Sequence, residues 1–303
     1  MKTKSFYSNG KLLLSGEYAI LDGASGLAIP TKYGQHLKVS KSRSSILSWK
    51  SLDEKGAIWF EGNYDKGSLQ EISSSDKDVS KRLLKILLGA KRLNLSFLKD
   101  QKGCEVETKL TFLRNWGLGS SSTLINNIAN WANVNAYHLL ESTFGGSGYD
   151  IACAQCDSPI LFCLENKQPV VKEVDFNPPF KNELYFVYLN KKQNSQEGIA
   201  QYRNRDIDKS RLTTQLSVIT SKMLACERLD VFEELINEHE TLLSTALEIQ
   251  KIKDTLFKDF NGAIKSLGAW GGDFILATGE DTSEYFKRKG HHTIIPYQAM
   301  ILH

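Results

Sequence analysis

The most constraining stretch of this 303-residue chain is a strand, a glycine–serine loop and a helix in immediate succession. Cys104, Val106, Thr108, Leu110 and Phe112 alternate with Glu105, Glu107, Lys109 and Thr111. That is the two-residue period of a half-buried strand. Arg114-Asn115-Trp116 leads into Gly117-Leu118-Gly119-Ser120-Ser121-Ser122, and Leu124, Ile128, Trp131 and Ala132 then mark one face of a helix. The first turn of a helix carries unpaired N–H groups and the positive end of the peptide dipole. Glycines let the backbone approach a ligand closely. The loop therefore suits an anion such as phosphate, and a plain structural turn accounts for it equally well. It is not a Walker A loop, since no lysine follows the glycines. It is not a dinucleotide fingerprint either, since Ser122 stands where the third glycine belongs.

Around this stretch the pattern is mixed. Leu12, Leu13 and Leu14 in the segment 11–21 predict a buried strand, and 37–49 and 57–61 read as further strands. Val79, Leu83, Ile86, Leu87, Ala90 and Leu93 predict a helix over 78–93. A short helix is expected over 138–143. The turn Gly145-Gly146-Ser147-Gly148 opens another over 149–156. The second half predicts strands at 160–164 and 184–189, then helices over 209–227, 231–250 and 253–267. A glycine cluster at 268–273 precedes strands at 274–277 and 293–301. Strands and helices mix without regular alternation, which predicts an α+β fold.

Composition narrows the partners. Apolar residues at 41% and charged residues at 24% are those of a soluble globular protein. A net charge of +3 gives no footprint for nucleic acid. The N-terminus does not read as a signal peptide. No segment approaches the roughly 18–20 apolar residues of a membrane span. Five irregularly spaced cysteines fit free thiols in a reducing cytoplasm better than disulfides. The Cys153–Cys156 pair and His291-His292 lack the further partners a metal site needs. The chain is expected to act on a small molecule, without membrane or nucleic acid, as a monomer or homodimer.

Four segments, in order, resemble the GHMP kinase superfamily, which includes galactokinases, homoserine kinases, mevalonate kinases and phosphomevalonate kinases. They are Gly10-Lys11-Leu12-Leu13-Leu14-Ser15-Gly16-Glu17-Tyr18-Ala19-Ile20-Leu21, the Gly117–Ser122 loop, Gly146-Ser147-Gly148-Tyr149-Asp150-Ile151-Ala152, and Gly268-Ala269-Trp270-Gly271-Gly272-Asp273. The Gly-Tyr-Asp-Ile-Ala string marks a bacterial group of these kinases. Tyr18, where mevalonate kinases usually carry histidine, and the Gly-Gly-Asp ending look most like phosphomevalonate kinase. The proline usual before the second motif is absent, and Trp270 replaces a small residue. Its ring would either narrow the acceptor pocket or stack on a ligand.

The resemblance implies a two-part fold. An N-terminal ATP-binding half, similar to domain 2 of ribosomal protein S5, would span 1–158. A ferredoxin-like C-terminal half would span 159–303. It implies a phosphotransferase using ATP and Mg²⁺ on phosphomevalonate or mevalonate in isoprenoid precursor synthesis. The alternatives are a sugar or amino-acid-alcohol kinase, a related ATP-dependent decarboxylase, and a non-catalytic nucleotide binder. Carried over residue by residue, Asp150 and Lys11 would be catalytic. Gly117, Leu118, Gly119, Ser120, Ser121 and Ser122 would hold ATP, with Ser121 and Glu141 on the metal. Glu17, Tyr18, Ser147, Lys192, Ser195, Arg203, Gly271, Gly272 and Asp273 would face the substrate.

Overall fold

The computed structural model describes residues 3–99, 103–191, 195–268, 270 and 272–302, with 195 and 196 described by backbone alone. The chain has mixed α+β architecture and divides into two compact units. Unit 1 comprises 1–10, 33–114 and 118–155. Unit 2 comprises 11–32, 115–117 and 156–303. The chain thus crosses between units several times, and Lys11–Lys32 belongs with the C-terminal half of the sequence.

Unit 1 is built on strands β1 (Lys4–Leu13, up to Gly10), β2 (Gly26–Lys41, from Tyr33), β3 (Ile46–Leu52), β4 (Ile58–Asp65) and β5 (Glu71–Ser74). Helix α1 (Lys77–Leu93) and strand β6 (Cys104–Leu110) follow. Sheet order is β5-β4-β3-β6-β2, with β1 pairing β2. β6 runs parallel to β3 and antiparallel to β2, so Val106 faces Trp49 on one side and Val39 on the other. Its alternation holds as read: Cys104, Val106, Thr108 and Leu110 are buried. Helices α2 (Ser120–Ala132), α3 (Ala136–Glu141) and α4 (Tyr149–Gln155) complete the unit. Leu83, Ile86, Leu87 and Ala90 of α1 join Ile125, Ile128 and Ala129 of α2 and the strand residues Leu37, Leu47, Trp49 and Phe60 in one core. α1 starts where Asp76 accepts the N–H groups of Asp78 and Val79, and Lys91 and Arg92 sit in its last turn. Both ends therefore suit the helix dipole.

Unit 2 pairs the Gly26–Ala28 end of β2 with β7 (Ile160–Glu165), which pairs β8 (Gln168–Glu173). A second sheet contains β9 (Leu184–Tyr188) and is followed in sequence by helices α5 (Ser195–Arg203), α6 (Lys209–Leu224), α7 (Leu229–Leu247) and α8 (Ile252–Leu256). Strands β10 (Ile264–Ser266) and β11 (Phe274–Thr278), helix α9 (Thr282–Arg288), strand β12 (Ile294–Pro296) and helix α10 (Tyr297–Met300) end the chain. Every pairing in the order β10-β11-β9-β12 is antiparallel. No helix among the described residues is long and apolar enough to cross a membrane.

Three predicted elements differ. The strand expected over 37–49 is broken after Lys41, where Ser42 Oγ accepts the Ser44 N–H at 3.3 Å in a polar turn, and resumes at Ile46 as β3. The helix expected over 253–267 stops at Leu256, and the chain returns as β10. A side chain at Gly262 would collide with the Thr278 carbonyl, so backbone runs against backbone there. The strand expected over 293–301 lasts three residues. Pro296 has no N–H to extend a ladder, and Tyr297 and Met300 bury at helical spacing instead. Strand β8 and helices α5 and α9 had no clear apolar period, and β8 is mostly exposed.

Leu87 is fully buried between sheet and helices. Leu87→Ala should destabilise the protein by roughly 2–5 kcal/mol, through lost transfer energy and a cavity. Urea unfolding followed by circular dichroism measures it, and a loss below about 1 kcal/mol would contradict this core.

Candidate active site

The loop between β6 and α2 straddles the two units. Asn115–Gly117 belongs to unit 2, where Tyr188 donates to the Asn115 carbonyl at 3.1 Å and Trp116 sits edge-on to Phe274 with ring centroids 5.5 Å apart. Gly117 has a left-handed φ of +67°, and a Cβ there would come within 2.5 Å of the Asp273 carboxylate. Asp273 is itself left-handed and is held by its backbone. Its N–H donates to the Lys191 carbonyl at 2.6 Å, and its carbonyl accepts the Leu189 N–H at 2.8 Å. Glycine at 117 is thus required by both conformation and space.

From Leu118 the loop belongs to unit 1. α2 begins at Gly119, also left-handed, with no side chain capping its first amides. Those N–H groups and the dipole make its start suited to an anion. Ser121 is exposed, Ser120 is half-buried and Ser122 is buried. Ser122 Oγ donates to Asp150 Oδ2 at 3.3 Å, which joins the loop to the first turn of α4. What the uncapped end lacks in stability is supplied along the shaft. Thr123 donates to Gln35 Oε1 at 2.7 Å, and Asn127 donates to the Gln35 carbonyl at 2.9 Å. Ser8 donates to Asn127 at 2.9 Å and accepts from Asn126 at 2.9 Å, and Gln155 donates to Asn126 at 2.9 Å. Ser147 is buried, while Glu141 is exposed at the end of α3.

In unit 2, Lys11 is half-buried on β1. Gly16-Glu17-Tyr18 forms the turn that follows. Tyr18 has φ +62°, an uncommon conformation for a large residue. Its ring stacks on Tyr202 at 5.7 Å, and its hydroxyl accepts the Trp270 N–H at 3.3 Å. A Cβ at Gly198 would meet that hydroxyl at 2.5 Å, so only glycine allows α5 to pass. Burial pushes the Tyr18 hydroxyl pKa up. The Trp270 ring is buried in a cluster with Tyr18, Leu216 and Leu243, which makes it a packing residue of this unit.

Glu17 is only 1% exposed, with its carboxylate on Lys265. In this arrangement it supports the turn from inside rather than presenting its carboxylate to an acceptor. Arg203 and Lys191 are exposed, and Gly272 is buried. Lys192, Gly271 and the side chain of Ser195 lie outside the described residues.

No protein-family model matches this sequence, and no curated protein does. Solved structures do match. The mevalonate kinase of Methanococcus jannaschii superposes with a TM-score of 0.71, over 95% of this chain and 94% of that one, at 15% identity. The phosphomevalonate kinase of Streptococcus pneumoniae, in complex with phosphomevalonate and AMPPNP, gives 0.67 over 99% and 98% at 15% identity. Lactococcus lactis galactokinase complexed with galactose gives 0.68 over 95% and 88% at 15% identity. The chain has the GHMP kinase fold. That fold is shared by enzymes named for different acceptors, so the chemistry of this chain has to be argued from its own residues.

Reasoning from sequence missed His239, Glu240 and Lys265, which surround Glu17. A signal existed. The buried stripe of α7 runs Phe232, Leu235, Ile236, His239, Glu240, Leu243 and Leu247, so two titratable residues occupy core positions of a helical period.

Gly117→Ala should cost about 1–3 kcal/mol from its backbone alone, and more from the collision with Asp273. Gly145 has the same φ of +67° with open space around it. Chemical denaturation of both alanine variants separates the two effects, and equal losses would show that the Asp273 contact carries no weight.

Proposed function

We propose that this protein is an ATP-dependent small-molecule kinase of the GHMP type, with phosphomevalonate or mevalonate as acceptor. The observation that carries the reading is the Ser122–Asp150 hydrogen bond beside the uncapped start of α2. It supports the reading by holding a carboxylate beside a helix start suited to phosphate, where an acceptor group would be oriented. Phosphoryl transfer depends on positioning and charge neutralisation more than on covalent help.

Each residue then has a task. The free amides of α2, with Ser120 and Ser121, hold nucleotide phosphate. Asp150 orients the acceptor group and, for an alcohol, takes its proton. Lys11 directs positive charge at the phosphoryl group in flight. Ser121 and Glu141 are hard oxygen donors suited to Mg²⁺. That ion typically takes only one or two ligands from protein and completes its shell with phosphate and water. When bound it would neutralise phosphate charge. No group of three His, Cys, Asp or Glu side chains that could hold a metal ion occurs among the described residues. Arg203, Lys191 and Lys192 supply cations for a phosphorylated acceptor. A sugar acceptor is the competing reading, because the galactokinase matches as well as the phosphomevalonate kinase does.

Asp150→Asn and Lys11→Met should each keep nucleotide affinity, measured by calorimetry with a non-hydrolysable ATP analogue, and lose turnover by roughly 100-fold or more. Full activity in both variants would remove these assignments. Coupled ADP release with phosphomevalonate, mevalonate and galactose tests the acceptor. Turnover on galactose alone would transfer the reading to a sugar kinase.

A further inference from the structure

Unit 2 buries four ionisable side chains in one cluster. Glu17, Glu240 and Lys265 are 1–2% exposed, and His239 is fully buried. They converge from the turn after β1, from α7 and from β10. Lys265 Nζ donates to Glu17 Oε1 at 2.6 Å and to the Ser266 carbonyl at 2.9 Å, and lies 3.4 Å from Glu240 Oε1. Glu240 Oε2 accepts from Ser266 Oγ at 3.0 Å. His239 Nε2 accepts the Gly16 N–H at 3.1 Å and stands 3.2 Å from Glu17 Oε2. Lys11 is a further cation whose field reaches Glu17.

One ammonium facing two carboxylates leaves an extra negative charge in the interior, where charge is costly. His239 does not cancel it, because burial and Lys265 hold the imidazole neutral and Nε2 is committed to Gly16. A proton on one carboxylate restores balance. Distance selects which one. Glu17 makes the short bond to Lys265, while Glu240 lies farther off and is served by Ser266. Burial pushes Glu240 up to about 7, with Glu17 adding to the rise. Burial raises Glu17 as well, and Lys265 is the main influence opposing it.

The same cluster touches two motif segments. Glu17 lies between Gly16 and the strained Tyr18, and Lys265 lies on β10 just ahead of Gly268. We propose that Lys265 is a positioning residue: with Glu17 ionised and Glu240 protonated, it clamps the Gly16–Tyr18 turn to the strand leading into the last glycine motif. Any effect of this clamp on turnover rests on the kinase reading above; the clamp itself does not.

The test compares wild type with Glu240→Gln, Glu17→Gln and the pair Glu17→Gln/Lys265→Met, which removes both charges without stranding either. Between an ordinary carboxylate pKa of 4.5 and about 7, the folded protein holds a proton on Glu240 that the unfolded chain has released. Stability therefore falls as pH rises through that window. Melting from pH 5 to 8 should show this slope in wild type. Glu240→Gln should flatten most of the slope while melting near wild type at pH 6, and Glu17→Gln should melt lower throughout. The opposite order of the two glutamine variants would overturn the proton assignment. Hydrogen exchange of the amides of 16–20 should quicken by about tenfold or more in the double variant. Unchanged exchange in a folded double variant would overturn the clamp. With phosphomevalonate or mevalonate as acceptor, the double variant should raise KM more than it lowers kcat. If wild type turns over neither, the kinase reading fails, while melting and exchange still decide the clamp.

Discussion

A helix that starts without a side-chain cap has to be held along its length instead, and much of unit 1 is built to do so. α2 carries no side-chain cap at Gly119, which costs only about a few tenths of a kcal/mol against a Ser, Thr, Asn or Asp cap. Thr123, Asn126 and Asn127 hold it from the side, through Gln35, Ser8 and Gln155. These are buried amides and hydroxyls in a helix interior, positions where leucine would pack more simply. Each bond contributes about 1 kcal/mol net, but together they fix where the helix begins. Ser122 and Asp150 inherit their geometry from that fixed point.

Unit 2 solves a different problem. It holds a turn containing Tyr18 at positive φ, a conformation that costs on the order of 1–3 kcal/mol and persists only when its surroundings over-determine it. The surroundings here are specific. The Tyr18 hydroxyl is tied to the Trp270 backbone, its ring lies against Tyr202 and Gly198, and the residue before it is locked to Lys265. Tyr202 extends the set by donating to Asp22 at 2.6 Å, which binds α5 back to the segment after the turn. A buried ion pair is a poor source of net stability. Its value here is directional, because an ammonium between two carboxylates and a carbonyl admits few arrangements.

Much of this was legible from residue pattern. The alternation of Cys104 to Leu110 and the helical spacing of Val79 to Leu93 gave elements within a residue or two of those found. The loop that precedes α2 and the turn that carries Asp150 were both visible as glycine and serine clusters. Elements whose register is set by a distant neighbour were not. Phe257, Phe260 and Ile264 have helical spacing, yet Gly262 packs backbone to backbone with β11 and β10 forms instead. Sequence left Trp270 as either a narrowing of the pocket or a ring to stack on a ligand; the structure shows it in a different place, buried in the packing of Tyr18, Leu216 and Leu243. The resemblance set Glu17 among the residues facing the substrate; the fold buries its carboxylate on Lys265, some 250 residues away.

By itself the sequence determined the local chemistry: a strand, a glycine turn and a helix start that favour an anion, and a carboxylate at the head of another short helix. These depend on neighbours in the chain, so periodicity and residue type suffice to read them. The tertiary structure alone decided which charges meet. Glu17, Glu240, His239 and Lys265 lie on separate elements, and nothing in their spacing relates them. The division of the chain into units, with Lys11–Lys32 joining the C-terminal half, was decided the same way. Coulombic and packing energies depend on distance in space, and for these residues only the fold sets that distance.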